Sequence, residues 1–161
     1  MTATWIVILT VAAAVGSGLN AGLFFAFSTS VMPALAQLPP AQGIVAMKKI
    51  NVVILNPLFG LVFGGTALAA AAAVVVAIVH TGEAGAIGLL VGGVAFLVGA
   101  IGLTMGYHVP RNNAVDALAP ADPAAPDAWA RYLREWVPWN HVRTVASLIA
   151  AVSFSLALLS L

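Results

Sequence analysis

The sequence predicts an all-α integral membrane protein: a four-helix bundle with a short interfacial helix before the last span, in one domain over residues 1–161. Three observations predict it. Of the 161 residues, 62% are hydrophobic and only 7% are charged, against about a quarter charged in a soluble domain. The mean hydropathy is +1.07. The apolar residues also gather in four runs, at about residues 5–32, 52–80, 84–107 and 142–161. Each meets the roughly 20 residues that a helix needs to cross about 30 Å of hydrocarbon.

The runs are rich in Ala, Leu and Gly and do not alternate apolar with polar, which excludes the strands of a membrane barrel. The first run, from Trp5, has no positive segment before it and is too long for a signal core, so it reads as a retained span. LPPAQG at residues 38–43 then interrupts the helix through its prolines and glycine. The second run opens INVVILNPLFG (residues 50–60); there Pro57 has no N–H and displaces the Val53 carbonyl, which needs another donor. HTGEAG at residues 80–85 turns the chain into the third run, which ends GYHVPRNNAVD at residues 106–116. APADPAAPD (119–127) breaks the chain again, and DAWARYLREW (127–136) fits the interfacial helix, with Asp127 as its N-cap. Gly18 and Gly22, Gly60 and Gly64, Gly88 and Gly92, and Gly102 and Gly106 are each four apart. That spacing predicts close helix approach in lipid, and the Gly-rich faces suit a homo-oligomer.

Charge sets the expected orientation. Lys48, Lys49, Arg111, Arg131, Arg134 and Arg143 all fall on one side of the four spans. Positive residues favour the inside, so loops 33–51 and 108–141 should be cytoplasmic, with both termini outside the cytoplasmic (plasma, or inner) membrane. The scattered basic residues make no nucleic-acid surface. With no cysteine there is no disulfide, thiolate metal site or cysteine nucleophile. G-x-S-x-G, P-loop and dinucleotide fingerprints are missing.

Polar side chains inside a membrane are costly, which makes them functional candidates. Asn20, Phe24, Phe27 and Ser28 recur at helical spacing on one face of the first span. Asn51 and Asn56 head the second span, His108 and Asn112 end the third, and WVPWNHVRT (136–144) opens the fourth. The opposite side offers only His80, Thr81 and Glu83. This asymmetry predicts one polar pocket in the cytoplasmic half of the bundle. Trp139 and Asn140 precede Arg143 by four and three residues and share its face. His141 stands about 200° round the helix from Arg143, so Arg143 and Asn140 should point inward and His141 away. Plainer readings stand beside these. Trp136 and Trp139 serve as interfacial belt residues, and Arg143 snorkels or caps carbonyls. Asn56 repairs the Pro57 break, His108 is a wet loop histidine, and the phenylalanines only pack.

In this order, GLFFAFSTSVMPAL, MKKINVVILNPLFG, YHVPRNNAVDAL and WVPWNHVRT resemble the anthrone oxygenase-like family of small four-span membrane proteins, over about residues 18–144. The resemblance bears on fold more strongly than on reaction. Fungal members are associated with oxidation of anthrones to anthraquinones by O₂ without a conventional cofactor. The resemblance implies Asn51, Asn56, His108, Asn112, Trp139, Asn140 and Arg143 as the family's polar positions. It implies an oxidoreductase, a cofactor-independent oxygenase acting on a lipophilic aromatic ketone. His108 would be the base, with His141 second. Arg143, Asn140 and Asn112 would stabilise an enolate oxygen. Asn20, Phe27, Ser28, Asn51, Asn56, Trp139 and His141 would contact the substrate. The expected partners are that lipophilic small molecule and membrane lipid; no cofactor and no metal are expected, since the histidines and acids do not converge as ligands must. The alternatives are a non-catalytic lipophile- or quinone-binding protein, a small transport protein, or a membrane subunit that packs against a partner. Proton-coupled transport is disfavoured because no Asp or Glu falls inside a run.

Overall fold

The structure is a computed structural model and describes residues 4–161; the first three residues of the expected domain lie outside the described residues. Among the described residues five helices form: α1 (Thr4–Ala36), α2 (Pro40–Val53), α3 (Pro57–Val79), α4 (Ala86–Ala117) and α5 (Ala125–Leu158). The chain is all-helical, and α1, α3, α4 and α5 are each long and apolar enough to cross a membrane. Their outward faces carry residues such as Leu61, Leu68 and Ile87, all largely exposed. Such a surface suits lipid rather than water.

The expected loops are much shorter than the sequence suggested. Residues 33–51 and 108–141 reduce to connections at 37–39 and 118–124. Proline is the physical reason. Pro40 occupies the first turn of α2, where its missing N–H costs nothing. Pro33 and Pro110 follow widened π-type turns at Phe27–Val31 and Thr104–His108. A wide turn relieves the clash with the carbonyl four residues back, so both helices continue. The segment at 127–136 is helical, but it is the first part of α5, not a separate interfacial element. Asp127 lies in the first turn of α5, and Ala124 is the cap.

At about 1.5 Å per residue, the 34 residues of α5 span roughly 51 Å, well beyond the hydrocarbon core. The helices α1, α4 and α5 therefore overshoot α3, which starts only at Pro57. The chain fills the level above that start with α2. Around the bundle, α1 packs between α5 and α3, and α4 packs between α3 and α5. Two apolar clusters form. One, around Phe24, Phe96 and Phe154, fills the half nearer the termini. The other joins Met32, Ile44 and Met47 to Trp129, Tyr132 and Trp136 at the α2 end.

Glycine brings the spans together mainly in the terminal half, and Gly43 lets α2 approach Trp129 at the other end. A Cβ at Gly92 would stand 2.9 Å from the Phe154 ring, and one at Gly88 would stand 2.9 Å from the Ser153 carbonyl and Ala157. Gly16 meets Thr66, Gly93 meets Ala70 and Val74, and Gly99 meets Ala146. The pair Gly88 and Gly92 thus packs as expected, whereas Gly18, Gly22, Gly60, Gly64 and Gly106 face open space and Gly102 makes no interhelical approach. The expected homo-oligomer surface at those faces is bare in this single chain. Gly92→Leu should lower stability by about 1–3 kcal/mol through overpacking against Phe154, while Gly60→Leu should change it little. Thermal unfolding in detergent measures both.

A polar cavity between two apolar clusters

Where the two apolar clusters meet, the bundle opens. A cavity of about 270 Å³ lies there, walled by all four spans and α2. Its buried wall holds Phe24, His108, Trp136, Asn140 and Arg143. Leu55, Met105, Asn113 and Asp116 also line it but are exposed on the outside. The mouth therefore lies between the α2–α3 junction and α4. One rim is apolar, at Leu55 and Met105. The other is polar, where Asn51 of α2 donates to Asp116 Oδ1 of α4 at 3.1 Å.

The inner wall is set by α5. Its buried stripe runs Trp129, Tyr132, Trp136, Asn140, Arg143, Ser147, Ala150, Phe154 and Ala157, in steps of three or four residues as an inward helical seam requires. Asn140 ties this seam to α1: its Nδ2 donates to the Phe24 carbonyl and to Ser28 Oγ, each at 2.7 Å. The Phe24 carbonyl sits one turn before the widened turn of α1, where such turns disturb the backbone ladder. Asn140 Oδ1 is thereby aimed at Arg143, whose Nη1 donates to it at 3.3 Å. The Arg143 guanidinium lies 3.7 Å from the centre of the Phe24 ring, a cation–π contact. Arg143 Nε is buried with no hydrogen-bond partner.

The opposing wall comes from α4, where Thr104, His108, Asn112 and Asp116 all line the cavity. His108 Nδ1 lies 3.1 Å from the Leu103 carbonyl. A carbonyl only accepts, so Nδ1 carries the proton and the neutral ring leaves Nε2 as a lone-pair acceptor. Nε2 is buried and has no partner. The Trp136 ring meets His108 edge-on, centroids 4.9 Å apart. Asn112 Oδ1 accepts from Tyr132 OH at 2.9 Å and from Trp136 Nε1 at 3.0 Å. Two donors on one oxygen fix the amide, so its amino group is what Asn112 presents elsewhere.

Of the residues expected at the site, the cavity brings together His108, Asn112, Asn140, Arg143, Phe27 and Asn51. Ser28 supports it from behind, as acceptor for Asn140. Four others stand apart. Asn20 is buried and donates to the Gly16 carbonyl within α1. Asn56 caps α3, accepting from Phe59 N at 3.0 Å and donating to the Val53 carbonyl at 3.1 Å. That is the donor Pro57 left wanting, and Asn56→Ala should cost about 1 kcal/mol of stability, read by unfolding in detergent. Trp139 is 43% exposed and packs outside on Tyr107, centroids 5.0 Å apart. His141 is exposed, opposite Arg143. Trp139 misses the cavity because it lies one residue off the seam; Trp136, seven residues before Arg143, takes the wall position.

Sequence reasoning overlooked Tyr132, Asp116, Phe59 and Phe63. A signal existed for Asp116: His108, Asn112 and Asp116 are successive steps of four, one face of a helix that was ended too early at residue 107. Among the described residues, no three His, Asp or Glu side chains gather where a metal could be held.

The fold and cavity define a small helical membrane protein with a cavity that opens sideways and is lined by a histidine with an unpartnered ring nitrogen and by a buried arginine. The family model described as anthrone oxygenase matches residues 57–153. The chain belongs to the anthrone oxygenase family. The match covers the cavity walls from α3, α4 and α5, while those from α1 and α2 lie outside it. Comparison with curated proteins and with solved structures finds no match.

Proposed function

We propose that the protein is a cofactor-independent oxygenase that oxidises a lipophilic aromatic ketone of the anthrone type with O₂. The observation that carries this reading is His108, which lines the cavity and whose Nε2 is buried without a hydrogen-bond partner while Nδ1 is tied to Leu103. A base so placed can take a proton from an activated CH₂. The C–H electron pair moves to the ketone oxygen, and Arg143 and the Asn112 amino group supply the charge-stabilising donors. The electron-rich carbon then bonds to O₂, and the His108 proton passes to the resulting peroxide. Removal of the second C–H proton breaks the O–O bond and gives the quinone carbonyl and one water. One oxygen atom enters the product and the other leaves as water, which balances the four electrons. Phe27 and Trp136, with ring centroids 6.0 Å apart, provide flat apolar surface for the rings.

Loading is proposed from the bilayer through the mouth between Leu55 and Met105. The cavity end carries all the Lys and Arg residues, which supports a cytoplasmic-membrane setting with that end inside and both termini outside. A second reading, a lipophile carrier without chemistry, draws support from the same sideways mouth. Oxygen uptake by the purified protein with an anthrone separates the two. Protein-dependent uptake, with anthraquinone formed one-to-one with O₂, supports the oxygenase. Tight anthrone binding without uptake would leave the carrier.

A further inference from the structure

We propose that the cavity holds its ligand most tightly as an anion, so that it prefers ligands with an acidic phenol or enol oxygen over their neutral or O-methylated forms. The inference rests on the proposed function for the place of the ligand and not for the reaction.

Arg143 is only 6% exposed. Among the described residues the ion pairs join His80 to Glu83 and Arg111 to Glu135, and neither involves Arg143. Arg111 shows what a satisfied arginine looks like here: it pairs with Glu135 at 3.1 Å and lies over the Tyr107 ring. Arg143 has one long bond to Asn140 Oδ1 and a ring face, and its Nε has nothing. Burying a charge without a counter-charge is among the more costly things a fold can do. Asn140 cannot supply that charge, because it is a neutral amide whose amino group is already spent on Phe24 and Ser28. An anionic ligand oxygen would complete the site. Asn112 adds a neutral donor, held with its amino group free by Tyr132 and Trp136. Most of the remaining wall is apolar or aromatic, as at Leu23, Phe27, Phe59, Phe63 and Trp136, so a lipophilic anion fits it.

The groups that face such an oxygen are few. On α4 they are His108 and, at the exposed mouth, Asp116; on α5 they are Arg143 and Tyr132 behind Asn112; α1, α2 and α3 bring no titratable side chain to the lining. On binding, the ligand O–H bond breaks, its electron pair stays on oxygen, and the proton leaves to solvent.

The test uses purified protein in detergent and 2-hydroxyanthraquinone, whose phenol and phenolate absorb at different wavelengths. Spectra are recorded against pH with and without protein, in the same micelles. The phenolate should bind at least about tenfold more tightly than the phenol, so the bound dye ionises at lower pH than the dye in empty micelles. Its methyl ether should bind about tenfold more weakly than the phenolate. Arg143→Lys should keep the preference, and Arg143→Gln should lose it while still binding the neutral form. Ionisation at the same pH in bound and free dye would overturn the proposal. So would equal binding of the methyl ether, or no binding of the dye. Both wild-type readouts decide the matter even if an Arg143 variant does not fold. Phenolate binding without oxygen uptake would sink the reaction alone, and uptake with a neutral bound dye would sink this inference alone.

Discussion

His108→Ala is expected to reduce anthrone-dependent oxygen uptake by about 10²–10⁴-fold in kcat, with little change in KM. The argument is geometric. His108 is 1% exposed, its tautomer is set by the Leu103 carbonyl, and Nε2 has no partner to give up before it accepts a proton. Asp116 is the other acceptor on the same face of α4, but it is exposed at the mouth and held by Asn51, too wet to replace a dry base. Removing the imidazole also removes its edge-on contact with Trp136, at a stability cost of about 1 kcal/mol. An oxygen electrode measures turnover, and circular dichroism on heating checks the fold. His141→Ala is the comparison: His141 is exposed on the far side of α5 and should behave as wild type. Turnover of the His108 variant within about threefold of wild type would remove it as the base.

Asn140→Asp is expected to lower kcat/KM by about 10²–10³-fold while unfolding at nearly the wild-type temperature. The two effects separate because of what the new carboxylate does. It loses the donation to the Phe24 carbonyl, worth about 1–3 kcal/mol when a buried acceptor is left bare. It gains a direct charge pair with Arg143, now bonded to the same position at 3.3 Å, and Ser28 can turn its hydroxyl to donate. Those terms offset one another for the fold. For the site they do not: the cation is neutralised from within, and an enolate or phenolate has nothing to meet. Asn140→Leu should differ sharply. It leaves Ser28 Oγ, the Phe24 carbonyl and Arg143 all unsatisfied, at a cost of about 3 kcal/mol or more, so stability and activity fall together. If the Asp variant unfolded as readily as the Leu variant, Asn140 would be a tie between α1 and α5 and nothing further.

Much of this was legible in the chain. Four apolar runs determine four spans, because a backbone in lipid must satisfy its own hydrogen bonds and a helix of sufficient length is the only unpaired way to do so. The gathering of Asn, His and Arg at one end of the runs located the cavity, because such groups are too costly in lipid to be placed without a partner. The three-residue step from Asn140 to Arg143 and the opposite face of His141 followed from 3.6 residues per turn. Asn56 was readable as the repair of the Pro57 break, and that is where its side chain is spent.

Tertiary structure decided the rest, and in each case through relations that helical periodicity does not contain. Local composition stopped the first and third spans at their prolines, but the widened turns before Pro33 and Pro110 carry both helices on and bring Asp116 to the mouth. Only packing chose Trp136 over Trp139 for the wall, since the inward seam of α5 is defined by what α1 and α4 press against it. Of four glycine pairs equal in spacing, only Gly88 and Gly92 are both at a helix contact, because the bundle is tight near the termini and splayed where α3 begins late. And the lack of an ion pair at Arg143 is a property of space: the sequence holds five acidic residues, and the fold pairs none of them with that guanidinium.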